Sequence, residues 1–352
     1  MSQTLALTSS IEDGVPDEEI ADLDFPTVSV IVSHLNSART IRQCLLSISR
    51  QYYPGSRFEI VVVDAGSTDG SIQIVQDLKI PNLKLLIVRG CTEPEGHNIG
   101  IRESTGEILM FTNSDVYVER DWVRRHLARL EEGYDLVGGR VFWGGDKFTF
   151  SWNMPKPNKP LHVQQVGMGL GFCNCSTRRK FIISMGGLLE ISSQHDTEFA
   201  FRVTSAGKKM VLDPDIVVYH DHPLKSLKAS FRRALGYSYN HAVVMRSFYG
   251  RLVCGSGSSS MITPSYVLKE LLSINGISAY FELYPEAAKR NIRINLVEFI
   301  VIRILGSKLG AFAGVLSGSA IRDVSYSKIP DLHNRVEKVP RMAAMIRKNV
   351  VQ

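Results

Sequence analysis

Short, valine-rich apolar runs recur through the first half of the chain, and helical periodicity follows each of the first two. Such runs are typical of strands that are buried on both faces of a sheet. We expect strands at 27–33, 58–64, 84–88, 107–112 and from residue 135 onward. The helical segments are 40–51 and the residues after AGSTDG at 65–70. Alternating strands and helices predict an α/β domain with a mainly parallel central sheet flanked by helices.

Composition divides the rest of the chain into a tail, a loop and a helical part. Residues 1–26 are acidic and lack a signal-peptide pattern, so we expect a disordered tail. The proline- and lysine-rich stretch at 144–171 predicts a long, mobile loop. The sequence GSGSSS at 255–260 predicts a linker. We therefore expect the α/β domain to cover 27–250, and a helical, membrane-associated or oligomerising appendage to cover 261–352.

The stretch at 296–320 is the most apolar part of the chain. Glu298, Arg303 and Lys308 interrupt it, and a charge near the centre of a membrane-spanning helix costs about 2.5–3.5 kcal/mol. We therefore expect a helix that lies in the plane of a membrane surface or packs in a core, and not a span.

Composition also narrows the class of partner. The 352 residues are 44% apolar and 22% charged, as in an ordinary globular protein. A net charge of +6 favours a phosphate-bearing substrate or an anionic membrane surface. No run dense in arginine and lysine is interleaved with aromatic residues, so no nucleic-acid partner is expected. Five cysteines, an odd number, are typical of reduced thiols. We expect a cytoplasmic protein, at most peripheral at the cytoplasmic face of a membrane.

Polar residues directly follow two of the predicted strands. Asp64 ends the second strand, where its carboxylate either accepts an N–H of a nucleobase or belongs to a capped turn. Asn113, Ser114 and Asp115 follow the fourth strand. Their oxygens suit Mg²⁺ or Mn²⁺, although capping of a loop is the alternative. Open α/β sheets bind ligands at the carboxyl ends of their strands.

Two further segments combine carboxylates with histidines. Asp196 and Glu198 precede a helix-like run, where a carboxylate either caps the helix or acts as a general base. His220 and His222 flank an aspartate after the strand-like IVVY. Two imidazoles beside a carboxylate suit a metal ion, although a solvated turn is the alternative.

Together, these segments resemble the family-2 inverting glycosyltransferases, which have the GT-A fold. The resemblance covers residues 27–240 and rests on VSVIVSHLNSARTIRQCLLSI, FEIVVVDAGSTDG, GHNIGIRESTGEILMFTNSD, MGGLLEISSQHDTEFAFRV and VYHDHP, in that order. It implies transfer of a sugar from a nucleotide-diphosphate sugar to a hydroxyl of a glycan, polysaccharide or lipid-linked acceptor. It also implies a divalent metal cofactor, Mg²⁺ or Mn²⁺. A membrane surface and a second copy of the chain are further candidate partners.

The resemblance also implies roles for individual residues. Asp196 matches the general base of the family, and Asp64 matches the aspartate that contacts the nucleotide base. Asp115 matches the last aspartate of the metal-binding D-x-D motif, and His220 is its predicted partner in the metal site. The other predicted donor contacts are Ser33, Asn98, Asn113 and Ser114. The candidates for diphosphate or acceptor contacts are Glu198, His222, Arg232 and Arg233.

Three positions depart from the family pattern. Asn113 replaces the first aspartate of D-x-D and removes one negative charge from the metal site, while His97 replaces the arginine of R-N-x-G and His195 the glutamate of E-D. These changes leave open a catalytically silent, GT-A-like protein that binds nucleotide sugars or acts as a scaffold, although Asp196 favours an enzyme. A nucleotidyltransferase is disfavoured, because HLNSART after the first strand is not a glycine-rich, basic loop.

Overall fold

A computed structural model describes residues 25–144, 146–150, 160–162, 170–191, 194–249 and 277–316. The predicted tail up to residue 24, the linker at 255–260 and most of the predicted loop at 144–171 lie outside these residues. The domain boundaries at 250 and 261 therefore stay predictions.

The strands of the described residues form one nine-stranded sheet. They are β1 Val28–His34, β2 Phe58–Asp64, β3 Leu83–Ile87, β4 Ile108–Asn113, β5 Val116–Val118, β6 Leu136–Trp143, β7 Leu161–His162, β8 Cys175–Arg178 and β9 Met210–His220. Their order is β3-β2-β1-β4-β8-β6-β9-β5, and β7 pairs with β9. The first four are parallel, as the sequence predicts. Beyond β4 the sheet is mixed, because β8 is antiparallel to β4 and β6, and β5 is antiparallel to β9.

Helices flank this sheet and continue after it. In the described ranges they are α1 Ile41–Ser49, α2 Ser71–Asp77, α3 Glu93–Glu103, α4 Trp122–Glu131, α5 Lys147–Phe150, α6 Arg179–Ser184, α7 His195–Ser205, α8 Leu227–Tyr249, α9 Ile277–Lys289, α10 Leu296–Phe299 and α11 Ser307–Leu316. A segment of π-helix, Ile300–Gly306, joins α10 to α11. The structure is therefore the predicted α/β domain with helices at its C-terminal side.

The central strands supply a core on each face of the sheet. Val30 and Val32 belong to one apolar cluster with Leu45 of α1, whereas Ile31 belongs to the other with Ile101 of α3. Successive side chains of a strand point to opposite faces. A strand covered on both faces must therefore be apolar throughout, which is why the continuous runs in the sequence predicted these strands.

Helix α3 lies very close to β1. An added Cβ at Gly100 would overlap Cγ2 of Ile31, and one at Gly96 would overlap Oγ of Ser33. Glycine at these two positions lets the helix backbone approach the strand. As a result, the N-terminus of α3 lies beside the carboxyl ends of the parallel strands.

The C-terminal helices pack on α8. An added Cβ at Gly310 would overlap the backbone oxygen of Leu235, so α11 and α8 are in close contact. Of the apolar stretch predicted at 296–320, the part at 300–316 contacts α8, whereas Phe299 of α10 packs with Phe142 and Leu283. Among the helices in the described ranges, none combines the length and the apolar character that crossing a bilayer requires.

Gly100→Ala should lower the free energy of unfolding by about 1–3 kcal/mol, because the new methyl group overlaps Ile31 and pushes α3 away from β1. Chemical denaturation measures this change. Gly236→Ala in α8 is the matched control, since an added Cβ there meets nothing within 4 Å. The control should leave stability unchanged or slightly higher, because alanine has the better helix propensity. Equal losses in both variants would contradict the close packing of α3.

Candidate functional site

The register of the parallel strands brings several predicted residues to one edge of the sheet. Ser33 pairs with Asn113 across β1 and β4, and His34 pairs with Asp64 across β1 and β2. Ser33 and Ser114 are both buried. These residues lie at the carboxyl ends of the strands, where open α/β sheets bind their ligands.

Asp64 is fully buried at the end of β2. Its Oδ1 accepts the backbone N–H groups of Gly66 and Ser67, both at 2.8 Å, and its Oδ2 lies 3.1 Å from Nε2 of His34. Burial lowers the pKa of His34, although the charge of Asp64 opposes this shift. The carboxylate therefore fixes the turn that follows β2. A contact between Asp64 and a nucleotide base stays a prediction.

Asn113 offers an unused acceptor at the end of β4. Its Oδ1 is buried and has no hydrogen-bond partner among the described residues. A buried acceptor without a partner costs about 1–3 kcal/mol, and amide oxygens are ligands of hard divalent cations. A bound donor or cation would remove this cost.

Asp115, His220 and His222 form a group whose ligand atoms all lie within 4.8 Å of one another. Val116 pairs with His220 across β5 and β9, and the N–H of Asp221 donates to the backbone oxygen of Asp115 at 2.8 Å. The two oxygens of Asp115 lie 2.9 Å from Nε2 of His220 and 3.2 Å from Nδ1 of His222. Burial would raise the pKa of the Asp115 carboxyl, but hydrogen bonds from both histidines hold the pKa well below its usual range.

The imidazole of His220 is stacked on Trp143. The two residues pair across β6 and β9, and their ring centroids are 4.1 Å apart at an angle of 26°. The guanidinium of Arg233 lies 5.0 Å from the centroid of the Trp143 ring. Burial lowers the pKa of Arg233, although the charge of Asp115 opposes this shift. The structure thus brings Arg233 to the metal-capable group, whereas Arg232 is exposed on α8.

Asp196 lies in the first turn of α7 and is partly exposed. Its Oδ1 accepts the backbone N–H of Thr197 at 2.7 Å. Gln194, just before the helix, has a φ of 64°, a conformation that costs a residue with a side chain about 1–3 kcal/mol. Its Oε1 accepts a hydrogen bond from Thr197 and lies 3.2 Å from Nδ1 of His241 on α8. Helix α8 therefore helps to hold the start of α7.

Glu198 has partners other than the predicted diphosphate or acceptor. Its side chain is 1% exposed, and both carboxylate oxygens accept from Arg202, at 2.7 and 2.9 Å. Arg202 also donates to the backbone oxygens of Met185 and Gly187. This ion pair ties α7 to the chain segment ahead of it, and a contact between Glu198 and the diphosphate or acceptor stays a prediction.

Asn98 on α3 makes a second internal clamp. Its Nδ2 donates to the backbone oxygen of Leu188 at 2.9 Å and to Oε1 of Glu190 at 3.2 Å. Its Oδ1 accepts the N–H of Leu188 at 3.0 Å, and the residue is 1% exposed. The amide thus binds the segment ahead of α7, and a contact between Asn98 and the donor stays a prediction.

Sequence reasoning missed Glu93, the first residue of α3. With His97 and His195 it forms a second group of potential metal ligands. Although the residue is exposed, loss of hydration at its carboxyl and the negative charges of Asp196 and Asp115 raise its pKa. Glu93 is therefore near both the general-base candidate and the Asp115 group.

A signal for this second group was present in the sequence. Thr92 and Glu95 form a capping box at the start of α3, and the T-x-x-E spacing marks a helix N-terminus. A helix that starts there places Glu93 and His97 one turn apart on the same face.

The mixed sheet, its flanking helices and the carboxylate–histidine group at its carboxyl edge are typical of an α/β protein with the GT-A fold. Residues 29–184 match a sequence model of glycosyl transferase family 2. Glycosyltransferase AglE of Haloferax volcanii is 31% identical over 231 residues, which are 60% of this chain and 73% of AglE. The chain therefore belongs to glycosyltransferase family 2. It is an enzyme that transfers a sugar from a nucleotide sugar.

Two further similarities are more restricted. Poly(ribitol-phosphate) β-N-acetylglucosaminyltransferase TarS of Staphylococcus aureus is 34% identical over 112 residues, which are 31% of this chain but only 20% of TarS. The mannosyltransferase PcManGT from Pyrobaculum calidifontis, solved in complex with GDP-Man and Mn²⁺, has a TM-score of 0.56 at 18% identity. That superposition covers 90% of this chain and 94% of PcManGT, and it supports the GT-A fold.

Glu198→Gln should lower the free energy of unfolding by about 3–5 kcal/mol, because the buried guanidinium of Arg202 keeps its charge and loses the carboxylate that lies 2.7 Å away. Denaturant titration at neutral pH measures the loss. The control is Glu103→Gln, which breaks ion pairs with the largely exposed Lys84 and Arg102. It should cost less than about 1 kcal/mol. If Glu198→Gln also costs less than about 1 kcal/mol, the buried pair does not clamp α7.

Proposed function

We propose that this glycosyltransferase inverts the anomeric centre, with Asp196 as the general base and a divalent cation at Asp115. The observation that carries the proposal is that Glu93 is near both groups. Its carboxylate lies within 4.8 Å of a ring nitrogen of His195, the residue before Asp196, and desolvation together with the charges of Asp196 and Asp115 raises its pKa. In this proposal a donor diphosphate at Asp115 has its reacting carbon close to Asp196.

The nucleotide of the donor lies, in this proposal, across the carboxyl ends of β1, β2 and β4. The base lies near Asp64 and the turn that this residue fixes, and Ser33, Asn113 and Ser114 line the path toward the diphosphate. The Oδ1 of Asn113 supports this placement, because it is a buried acceptor that has no hydrogen-bond partner among the described residues.

The residues at this edge fit a divalent cation. Asp115 supplies a carboxylate, His220 an imidazole and Asn113 an amide oxygen, a mixed set that Mn²⁺ or Mg²⁺ accepts with oxygen ligands from the donor. When bound, the cation offsets the charge that develops on the leaving diphosphate. Stacking on Trp143 keeps the His220 ring in place. Arg233, whose guanidinium lies over the Trp143 ring, adds a positive charge for the diphosphate.

Asp196 removes the proton from the acceptor hydroxyl. The hydroxyl oxygen forms a bond to the anomeric carbon on the face opposite the diphosphate, while the bond from that carbon to the diphosphate oxygen breaks. A single displacement of this kind inverts the configuration. The partial exposure of Asp196 leaves it open to an acceptor, and the N–H of Thr197 holds one carboxylate oxygen. Asn98 and Glu198 position the segment that carries this base.

Asp196→Asn should lower the transfer rate at saturating donor by about 10²–10⁴-fold and leave donor affinity nearly unchanged, because a general base acts in the transition state. A thermal-shift screen against UDP-, GDP- and dTDP-sugars, with and without Mn²⁺, identifies the donor, since a ligand of the native state raises the melting temperature. The transfer rate is then measured with that donor.

Asp115→Asn should give the complementary result, with the Mn²⁺-dependent thermal shift lost. Asp77→Asn, at the exposed end of α2, should change neither the shift nor the transfer rate. Full transfer by the Asp196 variant rules out this base, and a persistent Mn²⁺-dependent shift in the Asp115 variant rules out this cation site.

We further propose that the acceptor is lipid-linked and is met at a membrane surface. Large apolar side chains are exposed on the C-terminal helices, where they join the exposed cations Lys289 and Arg293. They are Phe281, Tyr284, Val297, Leu305 and Leu309. Helices that bind at a membrane interface combine apolar side chains with basic ones.

The full chain should float with vesicles of phosphatidylcholine and phosphatidylglycerol at low salt. Replacing Phe281, Leu305 and Leu309 with serine should abolish flotation, because these side chains supply the apolar contact. Ile87→Ser is the control, since Ile87 is also exposed but lies on β3. Absence of flotation by the unaltered chain would argue against a membrane-bound acceptor.

A further inference from the structure

A second cluster of potential metal ligands lies where the N-termini of α3 and α7 meet. Glu93 and His97 are one turn apart on α3, and His195 is the first residue of α7. A carboxylate oxygen of Glu93 and a ring nitrogen of each histidine all lie within 4.8 Å of one another. The cluster shares no residue with the Asp115 group.

The two histidines have buried nitrogens with no hydrogen-bond partner. Both ring nitrogens of His97 and Nε2 of His195 are in this state within the described part of the chain. His97 is 0% exposed and His195 is 7% exposed. His126 is equally buried, but its nitrogens lie 2.9 Å from Oγ of Ser176 and 3.1 Å from Oδ1 of Asn174. Among the described residues, the protein thus supplies hydrogen-bond partners for both ring nitrogens of His126. It supplies none for the buried nitrogens of His97 and His195, which a bound ligand could contact.

Aromatic rings line the two imidazoles of the cluster. The ring of Phe172 lies 5.8 Å from that of His97 and 5.9 Å from that of His195, and the ring of Phe111 lies 5.5 Å from that of His97. Within this lining the cluster itself supplies three polar atoms close enough together to bind one ion. A hydrophobic shell around a metal site limits the access of solvent to the bound ion.

The ligand set selects a class of metal. Two imidazoles and one carboxylate form the three-ligand set of zinc sites that keep a fourth position open. Imidazole nitrogen suits zinc and similar transition metals, whereas Mg²⁺ prefers oxygen. Burial and the neighbouring His195 lower the pKa of His97 to about 3, so its ring is neutral at physiological pH. Metal binding requires this neutral form.

We propose that Glu93, His97 and His195 bind a Zn²⁺-like ion that is distinct from the cation at Asp115 and that joins α3 to the start of α7. His195 directly precedes Asp196. The ion therefore positions the helical turn that carries the general-base candidate. The positive ends of two helix dipoles oppose a cation here. The carboxylates in the first turns of α3 and α7 offset this repulsion.

The test uses the full chain with Asp115→Asn, so that the other group does not contribute. The protein is stripped of metal, titrated with Zn²⁺ and dialysed, and the bound zinc is counted by elemental analysis. We expect one Zn²⁺ per chain. Adding Glu93→Gln should weaken binding by about 100-fold or more. Glu93 is exposed, so this change preserves the fold. Glu103→Gln, at the other end of α3, should bind like the parent.

A second measurement reports on positioning. Zn²⁺ should slow amide hydrogen exchange at 194–198 in the Asp115→Asn chain, and Glu93→Gln should remove this protection. Failure of the Asp115→Asn chain to take up Zn²⁺ would overturn the proposal. The proposal would also be overturned if Glu93→Gln and His97→Gln each left the Zn²⁺ affinity equal to that of the Asp115→Asn chain.

Discussion

The pairing of β9 with both β5 and β6 is the constraint on which the site depends. The last residue of β9, His220, lies opposite Trp143 of β6 and Val116 of β5. This double pairing places its imidazole between an aromatic ring and the carboxylate of Asp115. His222 and Asp115 are 107 positions apart in the sequence, so no local preference of the chain could bring them together. The metal-capable group is a product of sheet register, and a slip of one residue in either ladder would take it apart.

The start of α7 depends on a separate set of constraints. The buried ion pair of Glu198 and Arg202 and the hydrogen bonds of Asn98 on α3 hold this segment. Gln194 adds a contact between its side chain and His241 of α8. A buried ion pair contributes little net stability, because desolvation costs about as much as the attraction returns. Its bonds to backbone oxygens do, however, fix one geometry for the segment ahead of the helix. The two halves of the site are thus positioned by different contacts, one mainly by strands and one by helices, and α8 contributes a residue to each.

The elements that could be predicted from the sequence are those that depend on the residues of the element itself. The bounds of β1 to β4 differ from the predicted ones by at most one residue, because a strand covered on both faces is apolar throughout. Strand β8, with the sequence CSTR, was missed, since its polar side chains give no such signal. They are satisfied by distant partners, as in the bond from Thr177 to the backbone oxygen of Asp135. The internal partners of Asn98 and Glu198 could not be predicted for a similar reason. The motif suggests a ligand contact for each residue, which stays a prediction, and only packing shows their bonds to Leu188 and Arg202.

The carboxylates of the site also constrain how a donor binds. Glu93 is close enough to Asp115 and Asp196 for their charges to raise its pKa. An anionic diphosphate that entered alone would meet this negative field in a partly buried setting, where screening by water is weak. Arg233 supplies positive charge nearby, but its own burial lowers its pKa, a sign that the position disfavours an uncompensated charge. If a cation binds at Asp115 as proposed, its charge offsets this negative field and lowers the repulsion that the diphosphate would otherwise meet.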